Sequence, residues 1–349
     1  MRVLIAEDDE ALARFVRQGL EAEHYDVDVL PDGERARAAA TEVEYDVVIL
    51  DLNLPKLDGV SVLRHLRSKK PSVPVLVLTQ RTRVEDRVQC LDNGADDYVP
   101  KQLSAKSLDI FHIKFDLLTK IRSAAQSRQP SAANLPAKKP PQSQSVGRED
   151  SSPTVPAIVA LGTSTGGPKA LQEILPLFPR DLPIPILIVQ HMPAGFTAPF
   201  AQRLNSLCSL TVREAVNRET LQAGVVYIAP AGLHMCVERV SDSRTILRLG
   251  THPENSLHTP SVNVMMNSVA AVFGNHALGV ILTGMGSDGA EGMTAIHRHG
   301  GLTIGQDEAT CTVYGMPRAC AELGILSRVV PLTLIPSHIL HATRPRKHA

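Results

Sequence analysis

The sequence predicts an α/β protein of two successive doubly wound domains, and three observations carry that expectation. Short runs rich in Val, Ile and Leu alternate with amphipathic segments over residues 1–122. A stretch rich in Pro, Ser, Gln and Lys, with no hydrophobic period, fills residues 123–155. The alternation then resumes over residues 156–349. Strands that repeat with intervening helices must pair in parallel, because each crossover lays a helix on a face of the sheet.

The first domain offers strands at Arg2–Ala6, Asp26–Leu30, Asp46–Leu50, Val73–Leu78 and Asp97–Val99, which makes five βα units. Its last helical pattern places Leu108, Phe111, Phe115 and Leu118 on one face. Residues 123–155 cannot bury enough apolar surface to offset chain entropy and read as a linker. Beyond it, Ala157–Leu161, Pro185–Gln190, Val225–Ala229, Ala277–Thr283 and Leu302–Gln306 have the continuous apolar character of buried parallel strands. Helices are expected at Gly167–Phe178, Phe196–Leu207, Ser261–Phe273 and Asp288–His299, with antiparallel additions around His234–Leu249.

Composition excludes several classes of function. Lys plus Arg equals Asp plus Glu at 36 each, so no long-range field favours nucleic acid or an anionic membrane. There is no helix-turn-helix or basic stripe. The five cysteines are scattered without a C-x-x-C pair, which disfavours a disulfide framework or zinc site and suits a reducing compartment. No apolar run reaches membrane-spanning length and no signal peptide opens the chain. The expectation is a soluble, cytoplasmic protein without direct membrane insertion.

Chemistry-bearing residues collect at the C-terminal ends of the predicted strands, where open parallel sheets form their sites. The first strand runs into Glu7-Asp8-Asp9-Glu10, the third into Asp51, the fourth into Thr79, and the fifth leads to Lys101. Converging carboxylates call for a hard cation, and Mg²⁺ suits oxygen ligands with retained waters. Such a cation could bridge to a transferring phosphoryl group, with Asp51 as nucleophile and Lys101 neutralising charge. Taken singly, the acids at 7–10 could instead cap the following helix.

The segments Leu4-Ile5-Ala6-Glu7-Asp8, Asp51-Leu52-Asn53-Leu54-Pro55-Lys56-Leu57-Asp58-Gly59 and Gly94-Ala95-Asp96-Asp97-Tyr98-Val99-Pro100-Lys101 together resemble a response-regulator receiver, a flavodoxin-like fold. The resemblance implies Glu7 and Asp8 as the acid pair and Asp51 as phosphoacceptor. It also implies the Asn53 carbonyl on the metal, with Thr79 and Tyr98 as switch residues. Two positions depart from the family: Gln80 stands where a small residue is usual, which bears on phosphoryl lifetime. Gln102 stands where Pro is usual, which removes the ordinary reason for a cis peptide there.

In the second domain a strand runs into Gly162-Thr163-Ser164-Thr165-Gly166-Gly167-Pro168 and then a helix. The letters Gly162-x-Ser164-x-Gly166 fit a nucleophile elbow, but a Gly/Ser/Thr loop before a helix is equally a phosphate cradle. It lacks the Lys-Ser/Thr of a P-loop. Other strands end in His191 and in Thr283-Gly284-Met285-Gly286-Ser287-Asp288-Gly289. Alone, His191 could be structural and Asp288 a helix cap. Together with Ser164 they supply the parts of a triad. The chain order Ser…His…Asp excludes the α/β-hydrolase order Ser…Asp/Glu…His.

With Gln190-His191-Met192-Pro193, Tyr227-Ile228-Ala229-Pro230-Ala231-Gly232-Leu233-His234, Gln306-Asp307-Glu308-Ala309-Thr310 and Tyr314-Gly315-Met316-Pro317, these segments resemble a CheB-type protein-glutamate methylesterase/protein-glutamine glutaminase. The resemblance implies Ser164, His191 and Asp288 as the triad, with oxyanion donors at the backbone of Thr165 and Met285. It implies ester hydrolysis and glutamine deamidation without a cofactor in this domain. The implied partners are methyl-accepting chemoreceptors as substrate and a chemotaxis histidine kinase as phosphodonor. Thr259-Pro260-Ser261-Val262-Asn263 departs from the family's usual Arg-Pro-Ser-Val-Asp, which bears on substrate preference. The unphosphorylated receiver is expected to cover the strand-end face of the esterase. Two rival readings stay open: a phosphoryl sink or adaptor without catalysis, and the same esterase chemistry in a surface-sensing pathway.

Overall fold

A computed structural model describes residues 1–22, 24–71, 73–79, 90, 93–101, 154–192, 195–254 and 256–343. The predicted helix with Leu108 and Phe111, positions Gln80 and Gln102, most of the predicted linker, and the side chains of Thr79 and Tyr98 lie outside the described residues.

The N-terminal sheet has five parallel strands in the order β2-β1-β3-β4-β5: β1 Arg2–Ala6, β2 Asp26–Leu30, β3 Val47–Asp51, β4 Val75–Thr79 and β5 Asp97–Pro100. β3 is buried along its whole length, as a strand covered on both faces must be. It runs one residue later than expected and so ends on Asp51 itself. β4 begins after Pro74, which has no N–H to give the ladder. Helices α1 Glu10–Glu21, α2 Gly33–Glu42 and α3 Gly59–Lys69 each start from an Asp whose side chain accepts first-turn N–H groups: Asp9, Asp32 and Asp58. α1 then buries Leu12, Val16 and Leu20 at intervals of four.

The second sheet has seven strands, all parallel, in the order β14-β13-β12-β6-β7-β9-β8. The central strands are β6 Ile158–Thr163, β7 Ile186–Gln190, β9 Val225–Ile228, β12 Ala277–Ile281 and β13 Leu302–Gln306. Alternate residues of β6 feed two cores. Val159 and Leu161 face α4 Gly167–Ile174 and α5 Thr197–Leu207 with Leu171, Ile174 and Phe200. Ile158 and Ala160 face α6 Val262–Phe273 and α7 Ala290–Arg298 with Met265, Met266, Met293 and Ile296.

Further details differ from the sequence reading. α4 stops at Ile174 rather than Phe178, because Pro176 forces a short 3-10 turn. The antiparallel strands β10 His234–Ser241 and β11 Arg244–Gly250 form a separate hairpin, not an extension of the main sheet. It docks on α6, where Val237 N–H donates to Ser268 Oγ at 3.0 Å. Two short edge strands, β8 Thr211–Glu214 and β14 Arg328–Val330, carry too few apolar residues to register as a pattern.

Candidate active site and phosphoacceptor site

The chain leaves β6 in one direction toward β7, while β12 pairs on the other side of β6. A crevice opens at such a switch point, at the carboxyl ends of the strands. Ser164 follows β6, His191 follows β7 and Asp288 lies beyond β12, so three adjacent strands present the three candidate residues on one edge.

A layer of buried polar side chains underlies that edge. Thr163, Gln190, Thr283 and Gln306 end or closely follow β6, β7, β12 and β13, and each is at most 1% exposed. Thr283 carbonyl accepts from Ser164 N–H at 3.1 Å and Thr163 Oγ1 at 2.8 Å. Thr283 Oγ1 donates to Thr165 carbonyl at 2.9 Å, and Thr283 N–H donates to Gln306 Oε1 at 2.8 Å. Gln190 Nε2 donates to the carbonyls of both Ser164 and His191, at 2.9 and 3.0 Å. The Ser164 loop is thus tied to both neighbouring strands. Gly166 takes φ +79 at the N-cap of α4, a conformation that favours glycine. A Cβ on Gly284 would meet Ser164 N at 3.0 Å. No other residue fits so close to the loop.

Asp288 does not cap its own helix, whose N-cap is Gly289 without a side-chain bond. Its oxygens accept instead from His191 Nε2 at 2.9 Å, Ser261 Oγ at 2.9 Å, Val262 N–H at 2.7 Å and Asn263 N–H at 2.9 Å. The last two are orphan donors at the start of α6, where an anion is favoured. Burial works to raise the Asp288 pKa, but His191 and these donors outweigh it and hold it at about 2. A carboxylate on Nε2–H leaves His191 Nδ1 as the acceptor, and that atom is buried without a partner. Neither the Thr165 nor the Met285 N–H donates to another group among the described residues. His258 stacks on His191 at 4.2 Å between ring centroids. Burial, and then the neighbouring His191, push His258 down to about 4, so it is neutral at pH 7.

In the N-terminal domain the acidic run divides between two placements. Asp9 caps α1, accepting from Ala11 and Leu12 N–H. Glu7 and Asp8 turn the other way and meet Asp51, with ligand-capable oxygens all within 4.8 Å of one another. Lys101 Nζ donates to Glu7 and Asp51 at 2.7 Å each. Burial raises the Glu7 pKa, with Lys101 opposing. Burial also works against the Lys101 ammonium, but its two carboxylate bonds outweigh it and raise its pKa. Three carboxylates around one lysine leave excess negative charge and unused oxygen donors, so the donor set fits a hard divalent cation. Asn53 N–H donates to Asp51 Oδ1 at 3.2 Å, which brings the Asn53 backbone to this cluster.

The sequence assigns Gln190 and Thr283 no role of their own beyond membership of the matching segments, and it assigns none to His258. The signal for the first two was present: each apolar strand run terminates in a polar residue before a loop. For His258 there was none, because its role depends on a loop folding back over β7.

A family model described as CheB methylesterase matches residues 159–339. One described as response regulator receiver domain matches residues 3–110. A protein of Caldanaerobacter subterraneus named protein-glutamate methylesterase/protein-glutamine glutaminase is 40% identical, covering 97% of this chain and 96% of that protein. A protein of Nitratidesulfovibrio vulgaris with the same name, numbered 2, is 39% identical over 89% and 90% of the two chains. The crystal structure of the Thermotoga maritima CheB methylesterase catalytic domain superposes with a TM-score of 0.52 at 37% identity, covering 54% of this chain and 99% of that one. With its receiver domain ahead of the catalytic domain, this chain belongs to the CheB methylesterase family.

Proposed function

We propose that the protein hydrolyses glutamyl methyl esters on methyl-accepting chemoreceptors and deamidates receptor glutamines, under control of receiver phosphorylation, in the cytoplasm. The observation that carries this reading is the His191–Asp288 pair, held on the strand end beside the Ser164 loop with His191 Nδ1 unpartnered. Ser164 Oγ attacks the γ-carbonyl while His191 Nδ1 takes its proton. The Thr165 and Met285 N–H groups receive the oxyanion. The C–O bond to the methoxy group breaks and His191 returns the proton, releasing methanol, or ammonia from a glutamine. Water, deprotonated by His191, then cleaves the acyl-serine ester to free glutamate. Asp288 holds the imidazole in the required tautomer throughout.

In the receiver, Asp51 attacks a phosphoryl group donated by a histidine kinase, and Lys101 neutralises charge on the phosphoryl oxygens. Glu7, Asp8, Asp51 and the Asn53 carbonyl would hold Mg²⁺, which when bound offsets phosphoryl and carboxylate charge. Residues 123–155 act as linker between domains 1–122 and 156–349. The receiver restrains the esterase until phosphorylation: Asp96 Oδ1 lies 3.8 Å from Lys169 Nζ, just past the nucleophile loop. Met192, next to His191, and Phe196 also pack against the receiver core. Phosphoryl-Asp51, with Thr79 and Tyr98 as switch residues, weakens this contact. The test is methanol release from methylated receptor membranes, with and without a phosphodonor. Release that survives Ser164→Ala at the wild-type rate would sink the hydrolytic mechanism; a rate indifferent to the phosphodonor would sink the regulation.

A further inference from the structure

The loop that carries Asp288 is fastened by a side chain that the triad leaves out. Asn263, in the first turn of α6, turns its Oδ1 onto the backbone N–H groups of Gly289 and Gly292, both at 2.9 Å. Its own N–H donates to Asp288 Oδ1 at 2.9 Å. One residue therefore holds the carboxylate through its main chain, and through its side chain the backbone that follows the carboxylate.

The two helices approach closely enough to require this arrangement. A Cβ on Gly292 would meet Met266 Cβ at 2.5 Å and Asn263 Cα at 3.3 Å. Gly289, at φ +103, has no side chain with which to cap α7. The orphan N–H groups at the start of α7 thus receive their acceptor from the neighbouring helix. A carboxylate has the same shape as the carboxamide and would accept the same two bonds. The difference is one negative charge, placed a single residue from the Asp288–His191 pair.

We propose that Asn263 is a positioning residue for the Asp288–His191 pair, whose uncharged side chain fixes the Asp288 loop while leaving Asp288 as the anion that governs protonation of His191. This rests on the triad reading given above. The titratable groups on the surrounding elements do not supply a competing anion. His258, on the loop before α6, and His234, on β10, are both pushed toward the neutral form chiefly by burial. Glu291, in the first turn of α7, is exposed.

The test is the pH dependence of kcat/KM for methanol release by the full chain in the presence of phosphodonor, for wild type, Asn263→Asp and Asn263→Ala. The acid limb of such a profile reports the free enzyme's base. In Asn263→Asp the N–H groups of Gly289 and Gly292 keep the new carboxylate ionised. Its charge favours the imidazolium, so the acid limb moves up by about one pH unit, with the plateau kept within about threefold. Asn263→Ala unfastens the loop, lowering the plateau by about tenfold or more without an upward shift of the limb. A merely structural role predicts no upward shift for Asn263→Asp, because the variant keeps both hydrogen bonds and the Asp288 loop stays in place. An acid limb in Asn263→Asp that stays put or moves down overturns the proposal, as does an Asn263→Ala plateau equal to wild type. Should Asn263→Ala fold poorly, Asn263→Asp, which keeps both hydrogen bonds, decides alone. Ser164→Ala in the same assay separates the two readings: if it abolishes release while the Asn263→Asp limb is unmoved, the triad stands and this proposal fails.

Discussion

Glu7 and Asp288 are carboxylates shielded from solvent, fully or in part, on the carboxyl-end side of parallel strands, yet their proton affinities are displaced in opposite directions. Glu7 shares its space with Asp8 and Asp51 and finds one lysine to answer them. Asp288 receives four donors, three of them fixed by the start of a helix or its cap. Burial acts on both in the same sense, so the number and placement of donors decide the outcome. A site that gathers anions leaves electrostatic work for a cation and an incoming phosphoryl group. A site that saturates one anion leaves the histidine beside it to respond to a proton. The two domains solve different chemical problems with the same strand-end geometry.

The widest separation between the regions comes from Ser164→Ala. We expect methanol release to fall by about four orders of magnitude or more, while receiver phosphorylation, followed with a small-molecule phosphodonor, keeps its wild-type rate. Next is Asp288→Asn, which keeps the shape but lets an amide face His191 and permits the wrong tautomer. A loss of about 10³- to 10⁴-fold in kcat is expected. The same variant tests the electrostatics. A carboxylate at about 2 when folded, against 3.8 unfolded, contributes stability that is present above pH 4 and lost as pH falls through 2. That loss amounts to about 2 kcal/mol in wild type, and urea titrations across this range should show it absent in Asp288→Asn.

The receiver should respond in the opposite way to losing its cation. Lys101→Met leaves Glu7 and Asp51 facing each other without compensation, and we expect destabilisation of about 3 kcal/mol near neutral pH. Added Mg²⁺ should recover part of this, read as a rise in Tm with concentration. A variant as stable as wild type without Mg²⁺ would mean that the carboxylates do not need the lysine.

How much of this was legible beforehand follows from the same contrast. Strand-end residues are readable because an apolar run announces the strand and its last polar residue announces the edge, which is how Asp51, Ser164 and His191 stood out. The neighbourhood of β6, β7 and β12 was not readable, since chain order does not state strand order, and the triad needs that adjacency. The role of Asp288 was ambiguous for a physical reason. An Asp before a helix is ordinarily its cap, and only the packing of α6 against α7 shows that it serves another helix. Short edge strands such as β8 and β14 escaped because an edge buries little and so carries little pattern.

The smallest expected effect lies where the two regions meet. Lys169 is half-exposed and sits 3.8 Å from Asp96, a buried carboxylate already held by Arg67 and by Val75 N–H. Such a long, solvated pair is worth about 0.5 kcal/mol. Lys169→Ala should therefore raise the esterase rate of the unphosphorylated protein only about twofold and leave the phosphorylated rate unchanged. Phe196→Ala, which removes an apolar anchor from the receiver core, should release more. If instead Lys169→Ala alone gave full phosphorylation-independent activity, the restraint would be electrostatic. It would then fade with added salt, which an apolar seam does not.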